Sequence, residues 1–182
     1  MGTPDPDPGS LPVHHAAAPP PLAVDIVRRA CVWEDVADDI LVRAARAAFA
    51  AARLDAPPSE VSLLLTGDEE VSALNKSWRD KDGPTNVLSF SLDTPQSAAG
   101  PRPLGDVVLA YETVVREAAD RGIATGQHAV HLVVHGMLHL MGYDHISDQE
   151  AAIMEGLEVR ILAALGLPDP YSLQSAIHGE RQ

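Results

Sequence analysis

The stretch His131–His145 reads HLVVHGMLHLMGYDH. From Thr125 to Met141 the chain runs without a proline and is densely apolar, which predicts a helix. Gly142 stops it, because glycine adopts the left-handed conformation in which a chain leaves a helix and turns back. His135 and His139 are four residues apart, so their rings share one helix face with Cβ atoms ~5–6 Å apart. A reversal at Gly142 brings His145 back over the same face. Three nitrogen donors then converge and a fourth position stays open, the usual plan of a catalytic zinc site. A lone histidine on an apolar helix face is ordinarily a core residue, but three within His135–His145, with a glycine placed to return the third, form a metal-ligand pattern. A closed structural site usually draws on cysteines and four protein ligands, and Cys31 is the only cysteine.

His128, His131, His135 and His139 step by three, four and four, so all four lie on one stripe and His131 with His135 has the same geometry. Only His135 and His139 leave Gly142 and His145 in place to close a site. His131 is then expected behind the ligands or in packing, and His128 near the helix start, facing solvent. With Gly136 set aside, the spacing H-x3-H-x2-G-x2-H copies that of the metzincin proteases, whose first histidine is followed by a glutamate acting as general base. Without that glutamate, peptide hydrolysis lacks its usual proton acceptor. A zinc ion lowers the pKa of a water it binds to about 7, so hydrolysis by other routes remains open. Asp144 is either a turn acceptor or a proton acceptor beside His145.

Outward from this motif, the pattern alternates between helices and short strands. Val24–Cys31, Glu60–Thr66, Asn86–Leu92 and Gly105–Tyr111 read as strands. Glu34–Leu54 reads as a helix with Ile40, Leu41, Ala44, Ala48 and Leu54 on its apolar stripe. Arg43, Arg46 and Arg53 lie on a solvated face. Thr66–Glu69 and Ser147–Glu150 both fit the capping box, opening helices over 68–78 and from Ser147 to about Leu165. In the first of these, Val71, Leu74 and Trp78 form the expected buried side. Glu112–Asp120 is a further helix ending at Gly122. Strict β-α-β alternation is absent, so the fold class is α+β.

The chain has 182 residues and a formal net charge of −13, from 13 basic and 26 acidic side chains. One domain is expected at this length. The charge excludes a surface that attracts nucleic acid or anionic lipid along its whole extent, though not a local site. Residues 1–22 hold seven of the 15 prolines and read as a disordered extension. Residues 23–168 form the catalytic domain, and 169–182 a loose tail. With one cysteine, no signal-like start and no long apolar run, a reducing cytoplasmic location is the expectation.

A second constellation lies at Asn75–Phe90, NKSWRDKDGPTNVLSF. It holds the only two lysines, Lys76 and Lys81, with Arg79 between them. A basic island in an acidic chain suits a phosphate ligand, and Arg79 is able to grip one bidentately. A helix end whose cations complement the dipole is the plain alternative.

With these stretches in hand, and with LGDVVLA at Leu104–Ala110, the chain resembles the YbeY family of bacterial rRNA maturation factors over about residues 22–167. The resemblance implies a zincin-like α+β fold, a small mixed sheet with helices packed around it. It implies that His135, His139 and His145 hold one zinc ion per chain, and that Arg79 is the functional arginine. It implies a metal-dependent endoribonuclease acting on single-stranded RNA, in 3′ maturation of small-subunit (16S) rRNA and in ribosome quality control. The implied partners are the ribosome, a small-subunit ribosomal protein and an assembly GTPase. Many members carry Asp at the position of Asn86 and Pro at that of Ser91, so one candidate general base is missing. Residues 1–22 have no counterpart. Three rivals remain at this level: a metalloprotease, a non-catalytic assembly factor with a structural zinc, and a hydrolase of small phosphoesters.

Overall fold

The computed structural model describes residues 21–29, 33–52, 56–92 and 100–172. Expectations for 1–20, Cys31, Arg53, Leu54 and 173–182 lie outside them. The elements in chain order are β1 (Leu22–Arg28), α1 (Asp38–Ala52), β2 (Ser59–Thr66), α2 (Asp68–Arg79), β3 (Val87–Ser91), β4 (Arg102–Ala110), α3 (Tyr111–Arg121), α4 (Thr125–Leu140) and α5 (Asp148–Ala164). The strands form one sheet in the order β1-β2-β4-β3. β1 and β4 run parallel to β2, and the edge strand β3 runs antiparallel to β4. The architecture is therefore α+β, as the element pattern predicts, with the small mixed sheet that the resemblance implies.

Strand alternation divides the molecule into two layers of core. Val61, Leu63, Leu65, Val107 and Leu109 belong to the main core, shared with α1, α4 and α5. Leu88, Val108 and Ala110 form a smaller cluster with Val71 of α2, and Leu64, Leu74 and Phe90 pack against it. α4 is buried on nearly every side: Ala129, Val130, Leu132, Val133, Val134, Met137 and Leu138 are all core residues. Burying such a helix in the middle of the domain leaves one partly open stripe, and the histidines occupy it.

Several boundaries differ from the pattern for identifiable reasons. α1 begins at Asp38, not Glu34. The Arg28 guanidinium donates to the carbonyls of Trp33 (2.6 Å) and Val36 (2.7 Å), holding that segment as a turn. Trp33 is fully buried and its Nε1 donates to the Thr66 carbonyl at 2.9 Å. The capping box expected at Thr66 does not form. Gly67 is the N-cap and supplies no side chain. The Thr66 hydroxyl instead donates to Glu70, and the Asp68 N–H is met by Glu112 of α3 at 2.8 Å. The box at Ser147 forms in full with Glu150. β4 starts at Arg102, pairing with Ser59, and its register then shifts by the extra residue Leu104: Glu60 pairs with Pro103 and Val61 with Gly105. Gly105 has φ +130°, and a Cβ there would lie 2.0 Å from the Phe90 carbonyl oxygen, so only glycine fits.

Trp78 is not on the buried side of α2. It is 72% exposed, one turn beyond Leu74, with its ring edge-on to Phe90 of β3 at 5.9 Å. Asn75 takes the inner position at this end of the helix, donating to the Gly83 carbonyl at 2.9 Å. Contacts also continue past residue 168, where Tyr171 reaches back to Glu158 of α5.

Candidate metal centre

The end of α4 makes the site. Met141 closes the helix and Gly142 follows at φ +88°. The Gly142 N–H donates to the His139 carbonyl (3.0 Å) and the Tyr143 N–H to the Leu138 carbonyl (3.1 Å). These two bonds are the Schellman arrangement, which satisfies the last carbonyls and turns the chain back. The reversal carries His145 to the histidine stripe: its ring centroid lies 5.5 Å from that of His135 and 5.1 Å from that of His139. Asp144 accepts from the His145 backbone N–H at 2.8 Å, so it serves as a turn acceptor.

His135, His139 and His145 thus come together, with one ligand atom from each within 4.8 Å of the others. His135 Nε2 and His139 Nε2 face each other at 3.1 Å. Two nitrogens each ~2.05 Å from a tetrahedral ion stand about 3.3 Å apart, so the donor set fits a small divalent metal. Burial, then the neighbouring rings of His135 and His145, hold the His139 pKa below its ordinary value. A lowered pKa favours the neutral ring, whose lone pair is what a metal needs.

Behind His135 stands a residue that the motif reading missed. Glu158 of α5 is fully buried, and its Oε1 accepts from His135 Nδ1 at 2.7 Å. Its Oε2 accepts from His131 Nε2 at 3.2 Å and from the Tyr171 hydroxyl. Burial alone raises a carboxyl pKa, but these three donors outweigh it and bring Glu158 down to about 2. Burial, together with the same contact, pushes the Tyr171 hydroxyl upward. His131 is accordingly behind the ligands. A signal for Glu158 was present in the sequence: it interrupts the buried stripe Met154, Leu157, Ile161 and Leu162 of α5.

His128 is buried rather than solvent-facing. Its Nε2 pairs with Glu117 Oε2 at 2.7 Å, and Glu117 also accepts from the Asn86 amide at 2.9 Å. α3 covers the first turn of α4 and removes the expected exposure. Burial, then the Asn86 and His128 hydrogen bonds, act on Glu117 in opposite senses, and its pKa ends below the usual value. Burial keeps His128 below its own ordinary value despite the Glu117 contact. An aspartate at position 86 would face Glu117 with a second carboxylate. Asparagine supplies a donor there instead.

Gly136 packs toward the sheet. A Cβ built on it would lie 2.7 Å from Val107 Cγ1 and 3.0 Å from Ser89 Oγ. Its carbonyl accepts from that hydroxyl at 3.2 Å. The position held by glutamate in the metzincin pattern therefore has no room for a side chain.

Arg79 is the last residue of α2 and exposed, and among the described residues its side chain makes no hydrogen bond or ion pair. None of the contacts around the histidines involves it. Lys76, in contrast, is tied to Asp80 (3.0 Å) and Asp82 (3.2 Å). The basic island thus offers less free positive charge than its composition suggests.

The family model for Endoribonuclease YbeY matches residues 30–166. The chain belongs to the YbeY family. It is 49% identical over 160 residues to the Endoribonuclease YbeY of Paramagnetospirillum magneticum, covering 84% of this chain and 96% of the relative. Against that of Rhodopseudomonas palustris strain HaA2 it is 46% identical over 175 residues, covering 91% and 88%. A solution structure of TM1509 from Thermotoga maritima shares the fold, with a TM-score of 0.52 at 20% identity, covering 78% of this chain and 91% of that one. YbeY membership carries the zincin-like fold expected from the sequence. Among the described residues, no helix is long and apolar enough to cross a membrane.

Proposed function

We propose that this protein is a zinc-dependent endoribonuclease that cleaves single-stranded RNA and acts in 3′ maturation of small-subunit rRNA and in ribosome quality control. The observation that carries this reading is the convergence of His135, His139 and His145 beside a helix position that excludes a glutamate. Membership of a family named for endoribonuclease activity supports it. A bound divalent ion supplies Lewis-acid polarisation of a phosphoryl oxygen and a water of lowered pKa. The three imidazoles, presented from α4 and the turn after it, would hold it. Arg79, unpaired at the end of α2, positions the scissile phosphate and stabilises the charge that develops on it. Zinc suits three imidazoles, one ion per chain. The ribosome, a small-subunit ribosomal protein and an assembly GTPase are the partners we propose, in the cytoplasm, on the strength of the family.

The test is cleavage of single-stranded RNA by wild-type, His139→Ala and Arg79→Ala proteins, with product ends identified and zinc content measured. Expected are about one zinc per wild-type chain, loss of metal and cleavage in His139→Ala, and retained metal with lost cleavage in Arg79→Ala. Cleavage undiminished in His139→Ala refutes the metal role. A 2′,3′-cyclic phosphate product excludes direct attack by water as the first step.

A further inference from the structure

We propose that Glu158 is a positioning residue of the metal centre: its carboxylate fixes the His135 ring so that Nε2 faces His139 and His145. The inference rests on the metal reading given above. A fully buried carboxylate is costly unless every oxygen is met by donors. Here both oxygens are met, and the donors come from α4 and from the segment after α5. Oε1 takes His135 Nδ1 at 2.7 Å, while Oε2 takes His131 Nε2 at 3.2 Å and the Tyr171 hydroxyl. Because His135 gives its Nδ1 proton to Glu158, the lone pair is left on Nε2. That nitrogen is the one standing 3.1 Å from His139 Nε2. A carboxylate serving only to join α5 to α4 has no need to select the ring nitrogen opposite the cluster.

His131 and Tyr171 act through Glu158. Both donate to the same oxygen, and their rings meet edge to face at 5.9 Å and 88°, so each limits the other's movement. The segment that carries Tyr171 follows Pro168 and Pro170, which restrict its backbone. Together they leave Oε1 for His135 alone. Glutamine at 158 keeps the shape but turns one acceptor into a donor. With donors on both sides, one histidine must then change tautomer or lose its bond.

The experiment measures zinc(II) affinity by chelator competition in wild type, Glu158→Gln and Tyr171→Phe. Thermal melts of the metal-free forms and long-range 15N–1H spectra of the wild-type imidazoles accompany it. The expected loss of affinity is about 10- to 100-fold for Glu158→Gln, the usual range for removing a partner behind a metal-bound histidine. Tyr171→Phe is expected to lose less, in the same direction. Metal-free wild type is expected to show His135 protonated on Nδ1. A lowered melting temperature in both variants with unchanged zinc affinity overturns the inference, as does a His135 protonated on Nε2. If Glu158→Gln does not fold, Tyr171→Phe and the tautomer decide. Wild type that takes up no zinc refutes the metal reading, while the tautomer still tests the role of Glu158.

Discussion

Replacing Gly136 by alanine tests why this chain lacks the protease glutamate. In an exposed helix interior, alanine is favoured over glycine by about 1 kcal/mol. Position 136 lies in the middle of α4, so the change would stabilise the protein if the surroundings were indifferent. They are not. The new Cβ would lie 2.7 Å from Val107 Cγ1 and 3.2 Å from its Cγ2, with Ser89 Oγ at 3.0 Å. Ordinary contact begins near 3.4 Å, so α4 must move from the sheet by several tenths of an ångström or Val107 must leave its rotamer. Overpacking of this kind costs about 1–3 kcal/mol. The net expectation is destabilisation of about 0–2 kcal/mol. Denaturant unfolding of metal-free protein measures it. Val107→Ala removes the two clashing methyls, so the double variant should be less destabilised than the sum of the singles by about 1 kcal/mol. Gly136→Glu should be far worse, since it adds volume and a carboxyl with no partner, and should not gain peptide hydrolysis. A Gly136→Ala protein stabilised by the full helix-propensity gain, with no coupling to Val107, refutes the reasoning.

Three further outcomes follow from particular residues. His128 has a lowered folded-state pKa, so the unfolded chain binds more protons and stability falls as pH drops below the ordinary value of 6.5. Glu117, also lowered, adds a second loss below 4.5. In thermal melts of metal-free protein, His128→Gln should be less stable overall but lose less on going from pH 7 to 5, and an equal loss in both proteins contradicts this. Gly142→Ala forces a side chain to φ +88°, costing about 1–2 kcal/mol, and should weaken zinc binding by displacing His145. Unfolding and chelator competition check both effects. Gly105→Ala should yield little folded protein, because its Cβ falls 2.0 Å from a backbone oxygen. Soluble yield and circular dichroism are the readouts.

What was legible in the sequence followed from local rules. The helix through the histidines, its end at Gly142 and the box at Ser147 depend on residues within a few positions of each other. The errors came where a distant partner took over a local group. Thr66 and Glu69 have box spacing, but Thr66 is still in β2, and Glu112, far along the chain, meets the N–H it would have prepared for. His128 carries no local sign that α3 will cover it, and Glu117 becomes its partner only through the packing of α3 on α4. Trp78 satisfies the helical stripe, yet α2 ends at a left-handed Asp80 and leaves the ring beyond the sheet face. Glu158 was legible in principle as a carboxylate on an apolar stripe. Its meaning required knowing which helix α5 faces.

Gly136 and Glu158 hold neighbouring positions of α4, the one by packing and the other through a hydrogen bond to His135. At 136 the helix, with no side chain of its own there, packs directly on Ser89 of β3 and Val107 of β4. At 135 it is held by a carboxylate of α5. The level of His135 is therefore fixed by packing and by a buried hydrogen bond. His139 follows one turn later on the same helix. Only His145 comes from outside α4, and it is also the exposed member of the three. Its position depends on the two backbone bonds around Gly142 and on Asp144. A centre built this way has two ligands preorganised by the core and one set by a turn, so metal affinity and metal exchange should be controlled from different places. Changes behind His135 act on how well the ring donates. Changes at Gly142 act on whether the third ring arrives at all. The carboxylates in this network, Glu158 and Asp144, are both engaged as acceptors, and the position used by a protease for its general base is filled by the sheet. That combination favours chemistry on a phosphodiester, where the substrate brings its own charge and hydroxyl groups, over chemistry on a peptide bond.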